Sequence, residues 1–229
     1  FAQLARDCDS LDVVFLPQVL PLGKSVHRTL RQAVPHDPEA LLVCGTRVKP
    51  RRQNYLSGSV AEQLLRMHQC PVFAMRVVQP GLLGNPHDLL LPLAGHLDGF
   101  SRIRPVFGRM APYLRSVHLF RSIYVNQLRH PHLSPFREQA LKQVGIKYLS
   151  KICSKMDQQL KKQAFTVDQR VSISADWVND VLVQASRLKV QIMLLGVSER
   201  SLAHRVFHDV GLERVLRETP CDVGIYRGP

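Results

Sequence analysis

Two histidines four residues apart, His204 and His208, with Asp209 beside the second, are the residues of this sequence best spaced to hold a metal ion. On a helix they would share one face. No third ligand is evident, and in a chain with 10 histidines we read them as a solvated loop pair and expect no metal site. His130-Pro131-His132 reads as an exposed turn. The five cysteines, Cys8, Cys44, Cys70, Cys153 and Cys221, are odd in number and far apart, and they form neither a C-x-x-C pair nor a zinc spacing. They read as reduced thiols in a cytosolic compartment, with Cys70 and Cys221 packed as small buried groups. The sequence has no Ser/His/Asp order, no G-x-S-x-G and no carboxylate pair with a catalytic pattern, so it is read as non-enzymatic. Trp177 is expected to pack against a sheet edge, with ligand stacking as the alternative.

The bulk properties narrow the partners. With 229 residues, 45% of them hydrophobic and 21% charged, the chain can bury a real core and is neither disordered nor fibrous. The net charge of +13 favours an anionic partner, but it is spread, with +4 in residues 1–80 and +9 in residues 81–229. A basic arm for nucleic acid is therefore not expected. Nearly uncharged stretches such as Leu89–Gly95 are far shorter than the roughly 20 residues of a membrane helix. Arg6, Asp7 and Asp9 stand where a signal peptide would be apolar, and a cytoplasmic location is expected.

An internal repeat organises the elements that must position any site. Laying residues 41–77 over residues 192–228 without a gap gives 7 identities in 37 positions, among them Gly45 with Gly196, Glu62 with Glu213, Cys70 with Cys221 and Arg76 with Arg227. Both copies read as a buried strand, a polar loop, an amphipathic stretch and a short strand. Upstream, Gln32-Ala33 lies over Gln184-Ala185. The second unit, residues 86–229, reads as strand Leu89–Leu93, helix Ser101–Leu114 with Pro105 near its first turn, strand Val117–Tyr124, and a long helix from Pro135 to about Lys162. On that helix Leu141, Val144, Tyr148, Ile152, Met156 and Leu160 make the apolar stripe, and Lys142, Lys147, Lys151, Lys155, Lys161 and Lys162 the solvated face. Strand Phe165–Ile173, helix Asp176–Ser186, strand Val190–Leu195, helix Leu212–Arg217 and strand Asp222–Tyr226 complete it. The first unit, residues 1–80, reads as strand Leu11–Gln18, helix Gly23–Val34, strand Ala40–Cys44, helix Val60–His68 and strand Val72–Val77. It lacks the opening strand–helix–strand, and a full copy would need about 60 further residues. The expected fold class is α/β, two repeated doubly wound parallel-sheet units with the first incomplete. Either another chain or segment fills the gap or the remaining strands close up against each other.

Leu42-Val43-Cys44-Gly45, then Ser57-Gly58-Ser59-Val60-Ala61-Glu62-Gln63-Leu64-Leu65-Arg66 and Cys70-Pro71-Val72, resemble the universal stress protein family, as do Leu195-Gly196 and Leu212 to Val223 in the second unit. The resemblance implies a loop of the form G-x-x-G, nine residues, then G-[ST], whose backbone N–H groups close on phosphate. The first unit matches at Gly45, Gly58 and Ser59, with Val48 in place of the second glycine and Arg47, Lys49, Arg51 and Arg52 between. Gly45, Arg47, Gly58 and Ser59 are thus the candidate binding residues, for ATP or AMP. The other reading is that Gly45 lets the chain leave a strand and Gly58-Ser59 cap a helix. In the second unit Gly196 matches but Glu199, Asp209 and Val210 do not, and Ala94 stands where the resemblance implies an acidic contact to nucleotide, with Asp98 beyond Gly95. Carboxylates there would repel phosphate.

By this resemblance the chain is expected to be a non-catalytic binding or regulatory module, with no obligate cofactor, acting as a homodimer paired through sheet edges. A second possibility is the cytosolic regulatory domain of a membrane transporter, of the amino-acid permease, cation–chloride cotransporter or antiporter type, with its basic surface toward the inner leaflet. A third is an ATP-binding stress protein with weak ATPase activity.

Overall fold

The computed structural model describes residues 2–47, 54–78, 86–96, 98–126, 133–160, 164–197 and 210–228. In chain order the elements are α1 (Ala2–Ser10), α2 (Val26–Ala33), β1 (Leu42–Gly45), α3 (Val60–Leu65), β2 (Val72–Arg76), β3 (Asp88–Pro92), α4 (Gly99–Met110) with a 3-10 turn at Ala111–Tyr113, β4 (Ser116–Tyr124), α5 (Pro135–Gln159), β5 (Thr166–Ser174), α6 (Trp177–Leu188), β6 (Ile192–Val197), α7 (Val210–Glu218) and β7 (Asp222–Arg227). Seven strands form one sheet in the order β1-β2-β7-β6-β3-β4-β5. Helices lie between successive strands from β3 onward, and every pairing is parallel except that of β2 with β7. The α/β class read from the sequence is the fold observed.

The centre of the sheet is the leucine run. Leu89, Leu90 and Leu91 are fully buried, because β3 is flanked by β4 and β6 and covered on both faces. One face packs Ile103, Val106 and Phe107 of α4 and Leu149, Ile152 and Met156 of α5. The other packs Val178, Val181 and Ala185 of α6, Val215 and Leu216 of α7, and Leu64 and Leu65 of α3. Local signals set the helix starts: the Ser134 hydroxyl accepts from Arg137 N–H with Pro135 just inside, and Asp176 accepts from Asn179 N–H. Among the described residues no helix is long and apolar enough to cross a membrane.

Three expectations need correction. Pro105 lies inside α4 rather than in its first turn, because the helix begins at Gly99. Burial of Phe100, Ile103, Val106 and Phe107 outweighs the roughly 3 kcal/mol that an interior proline costs. On α5 the buried line is Gly145, Tyr148, Leu149, Ile152 and Met156, while Val144 is exposed. Gly145 is in the line because the helix rests on β5: a Cβ there would meet Val171 Cγ1 at 2.6 Å. Lys161 and Lys162 lie outside the described residues. Finally, Leu11–Gln18 is not a strand; after a turn at Leu11 and Asp12 the chain continues without regular structure. Its repeat counterpart β5 pairs with β4 over nine positions, and among the described residues the first unit shows no counterpart of β4.

The two units meet at the antiparallel β2–β7 seam, where Val72 pairs with Arg227 and Arg76 with Val223. Val78 N–H extends it by donating to Asp222 Oδ1 at 2.8 Å. Gly224 makes room for the seam: a Cβ there would run into the buried Phe73 ring. Gly224→Ala is expected to cost about 1–3 kcal/mol by overpacking. Urea unfolding checks this, and adding Phe73→Leu should recover at least about 0.5 kcal/mol, as expected for side chains in direct contact.

Candidate functional site

In doubly wound sheets, ligands sit beyond the carboxyl ends of the strands where the strand order reverses. In the second unit this point lies between β3 and β6. Ala94 is exposed just beyond β3, and the next residue, Gly95, has φ +101°. A Cβ on Gly95 would run into the Arg121 guanidinium, which stacks 4.6 Å over the Tyr148 ring, while Tyr148 O–H donates to His96 carbonyl at 2.9 Å. A cation therefore packs behind the turn where the resemblance implied a carboxylate. Gly196, at the end of β6, serves packing: a Cβ there would meet Ile103 Cγ2 of α4 at 2.6 Å. Glu199, His204, His208 and Asp209 lie outside the described residues, and Val210 opens α7. Among the described residues no three His, Cys, Asp or Glu side chains gather as a metal site.

In the first unit the same reversal would fall at β1, whose outer side carries no strand among the described residues. The four candidate residues nevertheless lie close together. Gly45 ends β1. Arg47 crosses to the turn before α3, donating to Ser57 carbonyl at 3.2 Å and to Gly58 carbonyl at 2.5 Å. Gly58 takes φ +66°, a conformation suited to glycine. Ser59 caps α3, its hydroxyl accepting from Glu62 N–H at 3.1 Å. Val48, Lys49, Arg51 and Arg52 lie outside the described residues.

The N–H groups of this turn are already engaged. Gly58 N–H donates to Glu62 Oε2 at 2.7 Å, and Ser59 N–H to Leu56 carbonyl at 2.9 Å. The preceding three are taken by the other unit: Glu213, buried in the first turn of α7, accepts from Tyr55 N–H at 2.7 Å, Leu56 N–H at 3.0 Å and Ser57 N–H at 2.7 Å. A carboxylate of the second unit thus sits in a concave array of first-unit amides, the arrangement by which backbone binds anions. Glu62 and Glu213 are the repeat-equivalent glutamates of the alignment, so the sequence marked both. Only the fold shows that one grips its own turn and the other reaches across the seam. Arg66 also binds Glu62, at 2.8 Å.

The remaining chemistry is quiet. Burial pushes the Cys44 thiol up to about 11 and raises those of Cys70 and Cys221, so these three stay protonated at neutral pH. Trp177 packs on Gly211 of α7, where a Cβ would lie 2.9 Å from the indole. Arg214 of α7 binds Asp176, the cap of α6, at 2.6 Å and holds its carboxyl below the usual range.

Removing the Glu213 carboxylate leaves three amides, one of them buried, without their partner. Glu213→Ala is expected to cost about 2–4 kcal/mol, and Glu213→Gln, which keeps one acceptor oxygen, about half as much. Equilibrium urea unfolding measures both.

No family model matches the sequence, and no curated protein matches it. Solved structures do. A universal stress protein from Archaeoglobus fulgidus DSM 4304 aligns with TM-score 0.59 at 12% identity, over 98% of this chain and 73% of that one. A functionally unknown protein from Pseudomonas aeruginosa PAO1 aligns with TM-score 0.59 at 13% identity, over 99% and 76%. A candidate universal stress protein from Pseudomonas aeruginosa UCBPP-PA14 aligns with TM-score 0.57 at 15% identity, over 99% and 76%. At these identities the likeness is one of architecture: the chain has the fold of the universal stress proteins.

Proposed function

We propose that this chain is a non-catalytic regulatory binding module of universal stress protein type, in which the loop of the first unit serves as an internal lock. The observation that carries this reading is Glu213 seated on the amides of Tyr55, Leu56 and Ser57. A nucleotide phosphate brought to this turn would face Glu213 and Glu62 and would have to displace one of them. Like charge and the loss of short hydrogen bonds both oppose that exchange. In this reading Gly45, Arg47, Gly58 and Ser59 shape and brace the turn that receives Glu213, and ATP and AMP are not its ligands. The module works in the cytoplasm by presenting surface to a partner.

Thermal-shift titration tests it. With ATP or AMP up to about 5 mM the midpoint should hold within about 1 °C, because only a ligand that binds the native state raises it. A clear rise that Gly58→Asp abolishes would overturn the reading and favour a nucleotide-binding stress protein.

The dispersed +13 charge favours a second, compatible placement, as the cytosolic regulatory part of a membrane transporter. The basic surface would then face anionic lipid. Co-sedimentation with phosphatidylserine vesicles should be substantial at low ionic strength and lost by about 0.5 M salt, and no binding at low salt would remove this placement.

A further inference from the structure

Positive charge converges on one groove of the first unit. Between α2 and the turn from α3 to β2 lies a cleft of about 520 Å³ whose walls include Arg28, Arg31, His36 and Gln69. Gln69 Nε2 meets His36 Nε2 at 2.7 Å and ties the two walls together. At Arg31 the cleft continues into a second one of about 280 Å³, where His27 of α2 faces Arg66, Met67 and His68 at the end of α3. No carboxylate lines either cleft. The acids of these segments are engaged: Glu62 binds Arg66 at 2.8 Å, and Asp37 accepts from Glu39 N–H at 2.8 Å. Arg28 and Arg31 are exposed, and among the described residues neither pairs with a carboxylate. The repeat shows that the scaffold does not ask for these cations. By the alignment Arg28 and Arg31 stand over Asp180 and Val183 of α6, and Gln69 over Pro220. Packing does not explain them either. Leu30 and Val34 seat α2 on the shared core, and the chain before α2 meets it at Thr29, whose hydroxyl oxygen accepts from Gly23 N–H at 3.0 Å.

We infer that the groove between α2 and α3 docks an acidic segment of a partner polypeptide, with carboxylates or phosphoserine phosphates seated on Arg28 and Arg31. The inference rests on the reading that the module works by presenting surface to a partner, and it names that partner's chemistry. Guanidinium forks take carboxylate and phosphate oxygens two at a time, which is how arginine clusters read acidic and phosphorylated motifs. Two clefts joined through one shared arginine suit an extended segment better than a compact ligand. His36 precedes β1 and Gln69 precedes β2, so the groove lies at the amino ends of these strands, whereas the turn held by Glu213 lies beyond their carboxyl ends. A second copy fits less well, since no two acidic residues are adjacent in this sequence. A lipid surface would read exposed cations such as Lys147 and Lys151 on the outer face of α5 before those lining a groove.

Fluorescence anisotropy tests this on the whole 229-residue chain, with a labelled peptide of about eight residues, alternating phosphoserine and aspartate, as the probe. Binding should be one-to-one and fall steeply with added salt. Arg28→Glu with Arg31→Glu should weaken it at least about tenfold, and Arg28→Gln with Arg31→Gln should weaken it by less. Lys147→Glu with Lys151→Glu on α5 changes the net charge as much as the glutamate pair in the groove, yet should leave binding within about twofold. All these positions are exposed, so each variant should keep the thermal midpoint of the parent within about 2 °C. No binding of the peptide overturns the inference. An equal loss in the α5 variant does so too, because bulk charge alone would then explain binding. So does phosphatidylserine-vesicle binding, or a dimer by light scattering, that the groove variants abolish while the peptide stays unbound. A midpoint raised by ATP and abolished by Gly58→Asp would end the reading of Glu213 as a lock and leave this inference standing.

Discussion

A two-stranded parallel ribbon does not hold together alone in water, and β1 and β2 stand because β2 takes the edge of β7. That antiparallel pairing makes β1 and β2 the flank of a seven-stranded sheet. The rest of the first unit follows from it. The helix α3 packs Leu64 and Leu65 into the same apolar layer as α6 and α7, so the two units share one core on that face. The seam needs Gly224 to be a glycine, since the Phe73 ring occupies the space a side chain would fill.

Because the seam brings α7 beside the turn before α3, a buried carboxylate finds amides to bind. An isolated buried charge is costly, and backbone N–H groups left without acceptors are costly as well; Glu213 and residues 55–57 answer each other. Arg47 acts on the same turn by binding its carbonyls. A loop whose glycines and arginines read as a phosphate cradle is thereby filled by protein. The lock joins residues more than 150 positions apart, so it reports directly on whether the two units are docked.

The open side of β1 is the complement of the same constraint. Pairing with β7 satisfies β2 on both edges, and among the described residues the outer edge of β1 carries no strand. Exposed strand edges template further pairing, and natural sheets usually blunt them with charge, proline or a bulge. β1 itself carries Leu-Val-Cys-Gly and no charge.

The sequence by itself determined the repeat, the alternation of strands and helices, the leucine strand at the sheet centre and the equivalence of Glu62 with Glu213. These rest on local periodicity, capping residues and self-similarity, which need no knowledge of distant contacts. It also marked Gly45, Arg47, Gly58 and Ser59 as a set, and the fold does bring Arg47 onto the turn of Gly58 and Ser59. Only the tertiary structure decided that Leu11–Gln18 is not a strand, that Pro105 sits inside a helix, and that Gly196 clears room for Ile103. It alone put a carboxylate from the far end of the chain on the amides of the loop. The physical reason is common to all four. A strand, a tolerated proline, a glycine gap or a bound anion is defined by what lies across from it, and for these residues that neighbour is remote in sequence or absent.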